Sequence, residues 1–133
     1  MDVEKANRDK RADRQEQDLV KQELRQGNVS YRVDKEFDVF TIRRDGTIFL
    51  TDCKSSEQAL FYVDRKDINK GLDCVRKWQE RLPNVRIVFN LYMWFSFTHQ
   101  HSNKRYISID ESYRNCSLRV WKTPCKIMTE KIG

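Results

Sequence analysis

Glu36-Phe37-Asp38-Val39-Phe40-Thr41-Ile42, then Asp45-Gly46, then Ile48-Phe49-Leu50-Thr51-Asp52-Cys53-Lys54 is the most informative stretch of this chain. Its Val, Ile, Phe and Thr residues mark strands over Phe37 to Arg43 and Thr47 to Cys53, and Asp-Gly between them is a strong hairpin turn. Pairing these strands brings Asp38 and Asp52 together at one end of the hairpin. Asp52 and Lys54 are two apart, so both side chains leave the same face of their strand. Two neighbouring carboxylates suit Mg²⁺ or Mn²⁺, which prefer oxygen ligands and keep several waters. The carbonyl of Cys53 points sideways and could add a third oxygen. Lys54 could orient or activate a water and offset charge developing on a phosphate. An ordinary surface ion pair would also account for an Asp-x-Lys triplet. Asp is depleted in strands, however, so two of them in one hairpin require a reason.

Outward from the hairpin, the preceding helix is expected from about Asp9 to Gln26, with Gly27 ending it. Ala12, Leu19, Val20 and Leu24 form its apolar stripe, and the spacing puts Glu16 on that same stripe. A carboxylate there could complete an acidic cluster around a metal. Residues 1–11 hold Lys5, Arg8, Lys10 and Arg11 with little to bury, and are expected to form a mobile basic arm or a frayed helix start before a single domain over 12–133. A second helix should begin near Asp64 or Asp67 and run to about Leu82, before Pro83. Strands are expected over Val85–Phe97, Tyr106–Asp110 and Ser117–Trp121, and a last helix over Cys125–Lys131. The expected fold is α/β, with a mixed central β-sheet flanked by helices.

Composition agrees with a nucleic-acid partner. The 133 residues, 38% hydrophobic and 35% charged, suffice for one core with a heavily charged surface. The formal net charge of +6 suits a polyanion, although it also serves solubility. Cys53, Cys74, Cys116 and Cys125 lack the spacing of a zinc or redox motif, and are expected as reduced thiols in an intracellular protein. No apolar run approaches the ~20 residues of a membrane span. His99 and His101 could meet a metal but lack a third ligand. Trp78, Trp94 and Trp121 could stack unpaired bases, while their spacing favours core packing. The aromatic run Leu91 to Phe97 is expected to exceed what one monomer can bury, which points to a dimer interface.

The order of elements resembles the PD-(D/E)XK nucleases, and more narrowly the archaeal-type Holliday junction resolvases, over roughly residues 10–131. The residues that carry the likeness are Glu16-Gln-Asp18-Leu-Val20, Phe37-Asp38-Val39, Asp52-Cys-Lys54, Arg65-Lys-Asp67-Ile68 and Thr123-Pro124. Gln17 stands where several of these resolvases have an arginine, and the loop Ser30-Tyr-Arg-Val-Asp-Lys-Glu36 is short beside theirs. The resemblance implies a restriction-endonuclease-like core with Glu16, Asp38 and Asp52 on the metals, and Lys54 assisting catalysis. It also implies a homodimer that cuts two strands of a four-way DNA junction. DNA contacts are expected from Lys10, Arg11 and Arg14, from Ser30, Arg32 and Lys35 in the loop, and from Arg65 and Lys66. Other expectations kept open are another DNA substrate, of restriction type or single-stranded, and a non-catalytic nucleic-acid-binding module on the same fold.

Overall fold

The computed structural model describes residues 3–97 and 103–133. Helix α1 (Val3–Arg25) leads into β1 (Val29–Arg32), β2 (Val39–Ile42), β3 (Ile48–Ser56) and β4 (Leu60–Val63). Helix α2 (Arg65–Arg81), β5 (Ile87–Phe95), β6 (Lys104–Ile109), β7 (Ser117–Lys122) and β8 (Ile127–Ile132) complete the chain. The main sheet has the order β1-β2-β3-β5-β6. Its β3–β5 pair is parallel and the others antiparallel, as expected for a mixed central sheet.

The Asp45-Gly46 turn closes the β2–β3 hairpin. Gly46 takes φ +89°, which suits glycine, and the Asp45 carboxylate accepts from the Thr47 N–H at 2.9 Å. The crossover from β3 to β5 runs through β4 and α2. Asp64 caps α2, its carboxylate accepting from the Lys66 N–H at 2.8 Å. Gly71 lets α2 lie directly on β5, because a Cβ there would overlap the Phe89 ring. The α2 face of the sheet buries Leu50, Phe89, Leu91, Met93 and Phe95 with Ile68 and Leu72. The opposite face packs Leu19 of α1 against Val39 and Tyr92.

Several expectations need correction. The helix begins at Val3 rather than near Asp9, so the described part of the expected arm continues α1. Leu24 is 53% exposed, and the turn toward the sheet carries Gln15, Leu19 and Glu23 instead. Ser30 falls in a strand, β1, that was expected as loop. Cys125–Lys131 is not a helix: after a turn at Thr123-Pro124, β8 pairs antiparallel with β7. With β4 it makes a second sheet, β4-β7-β8, which the sequence reading lacked. Ile127 fills the core from β8, a contact that six short residues make more readily as a strand than as an isolated helical turn. Of the apolar run from Leu91 to Phe97, Leu91, Tyr92, Met93 and Phe95 are buried within the monomer, Trp94 is half-buried and Phe97 is 48% exposed. The four cysteines are free thiols. No helix among the described residues is long and apolar enough to cross a membrane.

Candidate functional site

The expected hairpin site is assembled by hydrogen bonds to the β3 main chain from Asp38, just before the start of β2. The Asp38 N–H donates to the Thr51 carbonyl at 2.9 Å, and the Asp38 carboxylate accepts from the Cys53 N–H at 2.8 Å. N–H and C=O of one strand residue leave on the same side, so the Cys53 carbonyl faces the Asp38 side. Asp52 and Lys54 lie on the α2 face with Leu50, because strand residues alternate.

Asp52 is the most perturbed carboxyl of the set. Burial raises it from its ordinary value, the charge of Asp38 adds to this, and the sum takes it to about 7. The cations Lys54 and Lys70 oppose the rise. Glu16 reaches the same region from α1. It is raised as well, first by burial and then by Asp38, while Arg32 pulls it down. The charge of Asp38 therefore acts on both Asp52 and Glu16.

Two counter-charges frame them. Arg32 of β1 meets Asp13 at 2.7 Å and Glu16 at 3.4 Å. The Lys54 ammonium donates to the Asp67 carboxylate, in the first turn of α2, at 3.1 Å. Sequence reasoning gave Asp67 no role at the site. Its place in the Arg65-Lys-Asp67-Ile68 motif was the available signal. Gln15 was also missed: its amide donates to the carbonyls of Lys54 (3.0 Å) and Tyr92 (2.8 Å).

The remaining expected residues divide. Ser30 is buried and bonded to Thr41 Oγ1 at 3.0 Å, so it is not available to DNA. Arg11 is mostly buried, held by Ser55 Oγ at 3.0 Å and Glu57 at 3.0 Å. Lys10, Arg14, Lys35, Arg65 and Lys66 are exposed. The thiols of Cys53 and Cys74 are both raised by burial, that of Cys74 to about 12, which leaves neither a ready thiolate ligand. His99 and His101 lie outside the described residues.

Asp38, Asp52 and the Cys53 carbonyl are oxygen donors of the kind a hard cation takes. Among the described residues no group of three or more His, Cys, Asp or Glu side chains is arranged to hold a metal ion. What is present is two carboxylates and a backbone carbonyl. Mg²⁺ commonly accepts such a set, taking one or two carboxylates and retaining water. A carboxyl displaced to about 7 by its own burial and then by the charge of Asp38 is one that a divalent cation would return to the ionised form.

No family model and no curated protein matches the chain. Among solved structures it is similar to Hjc of Archaeoglobus fulgidus, a Holliday junction resolvase from an archaeal hyperthermophile. The TM-score is 0.54 at 12% identity, over 91% of this chain and 84% of that one. The likeness shows a shared restriction-endonuclease-like α/β fold.

Proposed function

We propose that the chain is a divalent-metal-dependent endodeoxyribonuclease that resolves four-way DNA junctions as a homodimer. The observation that supports this reading is the position of Asp38, just before β2: it accepts from the Cys53 N–H between Asp52 and Lys54 of β3 and raises both Asp52 and Glu16 of α1. Asp38, Asp52 and the Cys53 carbonyl would hold Mg²⁺ or Mn²⁺, with Glu16 beside them. A divalent ion there would polarise a phosphoryl oxygen and make water a better nucleophile near neutral pH. Lys54 places a donor where charge develops on the phosphate, and Asp67 holds that ammonium in position. Arg32 offsets the charge of Glu16 until substrate and metal arrive.

The likeness to a junction resolvase supports branched DNA as the substrate. A two-fold dimer would present two such sites, matching the two strands that resolution must cut. Incubation with a synthetic four-way junction and a matched linear duplex, each with Mg²⁺ or EDTA, tests the reading. Paired incisions in the junction with Mg²⁺ alone are expected. Equal cutting of the linear duplex would overturn the junction preference. No cutting of any DNA, with no calorimetric Mg²⁺ binding that Asp38→Ala removes, would overturn the enzyme.

A further inference from the structure

The C-terminal ends of β3 and β5 carry a second feature, on the sheet face opposite Lys54. Ser55 and Trp94 are register partners on these strands, next to the Lys54–Met93 pair. Tyr92, two residues before Trp94, packs against Leu19 of α1. Trp94 therefore projects toward α1, while Lys54 projects toward α2. Between Trp94 and the first half of α1 lies an open cleft of about 400 Å³, whose lining includes Lys10, Arg11, Arg14, Glu57, Trp94 and Asn103. That volume is within the usual range for small-ligand sites.

The charges in the cleft are sorted. Arg11 is committed, through Ser55 and Glu57, so the one carboxylate in the lining is already neutralised. Lys10 and Arg14 are exposed and form no ion pair among the described residues. Trp94 is half-buried and carries the Lys104 ammonium 5.6 Å from its ring centroid. An indole bordered by uncommitted cations suits a ligand that is aromatic and anionic at once. A nucleotide has both properties. A base within a duplex is already stacked on its neighbours, so only an unpaired one can lie against Trp94.

We propose that this cleft binds one unpaired nucleotide of the DNA substrate, with its base stacked on Trp94 and its phosphates on Lys10 and Arg14. The inference rests on the nuclease reading and deepens it. Strand ends are shared between the cleft and Lys54, so DNA entering the site would round the end of β3 and leave its next nucleotide on the α1 face. The enzyme would thereby favour DNA with an unpaired position beside the cut.

The test is binding of the full-length chain, in EDTA, to three labelled DNAs of one sequence. These are a blunt duplex, the same duplex with one bulged nucleotide, and the same with an abasic bulge. Stacking of one base on an aromatic ring predicts roughly 5- to 150-fold tighter binding of the bulged duplex than of the other two. Trp94→Ala should abolish that preference and Trp94→Phe should keep part of it. Lys10→Ala with Arg14→Ala should weaken all three complexes and flatten the salt slope by up to about two units. Equal binding of the three DNAs by the unaltered protein would overturn the proposal, whatever the variants do. So would a preference that survives Trp94→Ala. A Trp94-dependent preference in a chain that cuts no DNA with Mg²⁺ would keep the cleft and overturn the nuclease.

Discussion

The side-chain amide of Gln15 donates to the main-chain carbonyl of Lys54 at 3.0 Å, so the helix bearing Glu16 is tied to the strand bearing the lysine. The same amide also holds Tyr92 on β5, and its own Oε1 has no partner among the described residues. Gln15→Ala would strip two buried carbonyls of a donor and should destabilise the fold by about 1–3 kcal/mol. Because Glu16 is the next residue, the cleavage rate at a temperature where the variant is folded should fall too. Urea unfolding together with single-turnover cleavage checks both. An unchanged rate in a destabilised variant would make Gln15 purely structural.

Lys54 and Asp67 should separate in their effects. Lys54→Ala removes the donor from the phosphate, and its rate should drop by about two to three orders of magnitude with metal binding retained. Asp67→Asn only loosens the ammonium, a half-buried pair of small worth by itself, and should slow cleavage far less. Calorimetry with Mg²⁺ alongside cleavage rates distinguishes the two, and an Asp67→Asn loss as deep as that of Lys54→Ala would show that Asp67 acts directly.

Asp52 makes stability fall as pH rises in metal-free buffer. Its folded-state value near 7 lies above that of an unfolded aspartate, so between about pH 4 and pH 7 the folded state retains a proton that the unfolded state gives up. The stabilising preference is complete below pH 4 and lost as pH passes through 7. The whole effect is at most about 4 kcal/mol. Glu16 is displaced in the same direction. Asp52→Asn should flatten the decline and raise stability at pH 8, while abolishing cleavage and leaving DNA affinity intact or tighter. Denaturant titrations at pH 4.5, 6 and 8 test this, and an equally steep decline in Asp52→Asn would refute it.

Glu16 and Glu23 occupy one helix with opposite assignments. Glu16→Gln should cripple cleavage and leave the fold as stable or more so, since it relieves repulsion from Asp38. Glu23 is fully buried and accepts from Asn28 at 2.8 Å, Arg43 at 3.3 Å and Tyr106 at 3.0 Å. Glu23→Ala should destabilise by about 3–5 kcal/mol, because Arg43 and Tyr106 lose their shared acceptor. Thermal melts and activity on both variants decide, and a stable, inactive Glu23→Ala would reverse the assignments.

Much of the site was legible because it is local. Asp38, Asp52 and Lys54 lie within one hairpin, and Asp45-Gly46 sets its turn and hence its register. Asp64 similarly announces the start of α2. The roles of Gln15 and Glu23 were not legible, and that of Asp67 was signalled only by its motif, because each acts on a partner distant in the chain. Gln15 meets Lys54 and Tyr92, Glu23 meets Tyr106, and Asp67 meets Lys54. Helical spacing alone placed Leu24 inside. The buried polar contacts of Glu23 turned the helix so that Leu24 faces solvent.

By itself the sequence determined the alternation of apolar residues, the turn chemistry and the caps, since these depend on neighbours a few bonds away. It therefore specified an α/β fold around one acidic hairpin. Tertiary structure decided what such rules leave degenerate. Ile127–Ile132 is a strand because β7 offers it an edge to pair with, and Leu91, Tyr92, Met93 and Phe95 of β5 are core because β3 and β6 flank the strand and α1 and α2 pack on its two faces. The Trp94 cleft exists only where α1 crosses the ends of β3 and β5. Burial and charge at a point are sums over residues far apart in the chain, and only the folded arrangement supplies that sum.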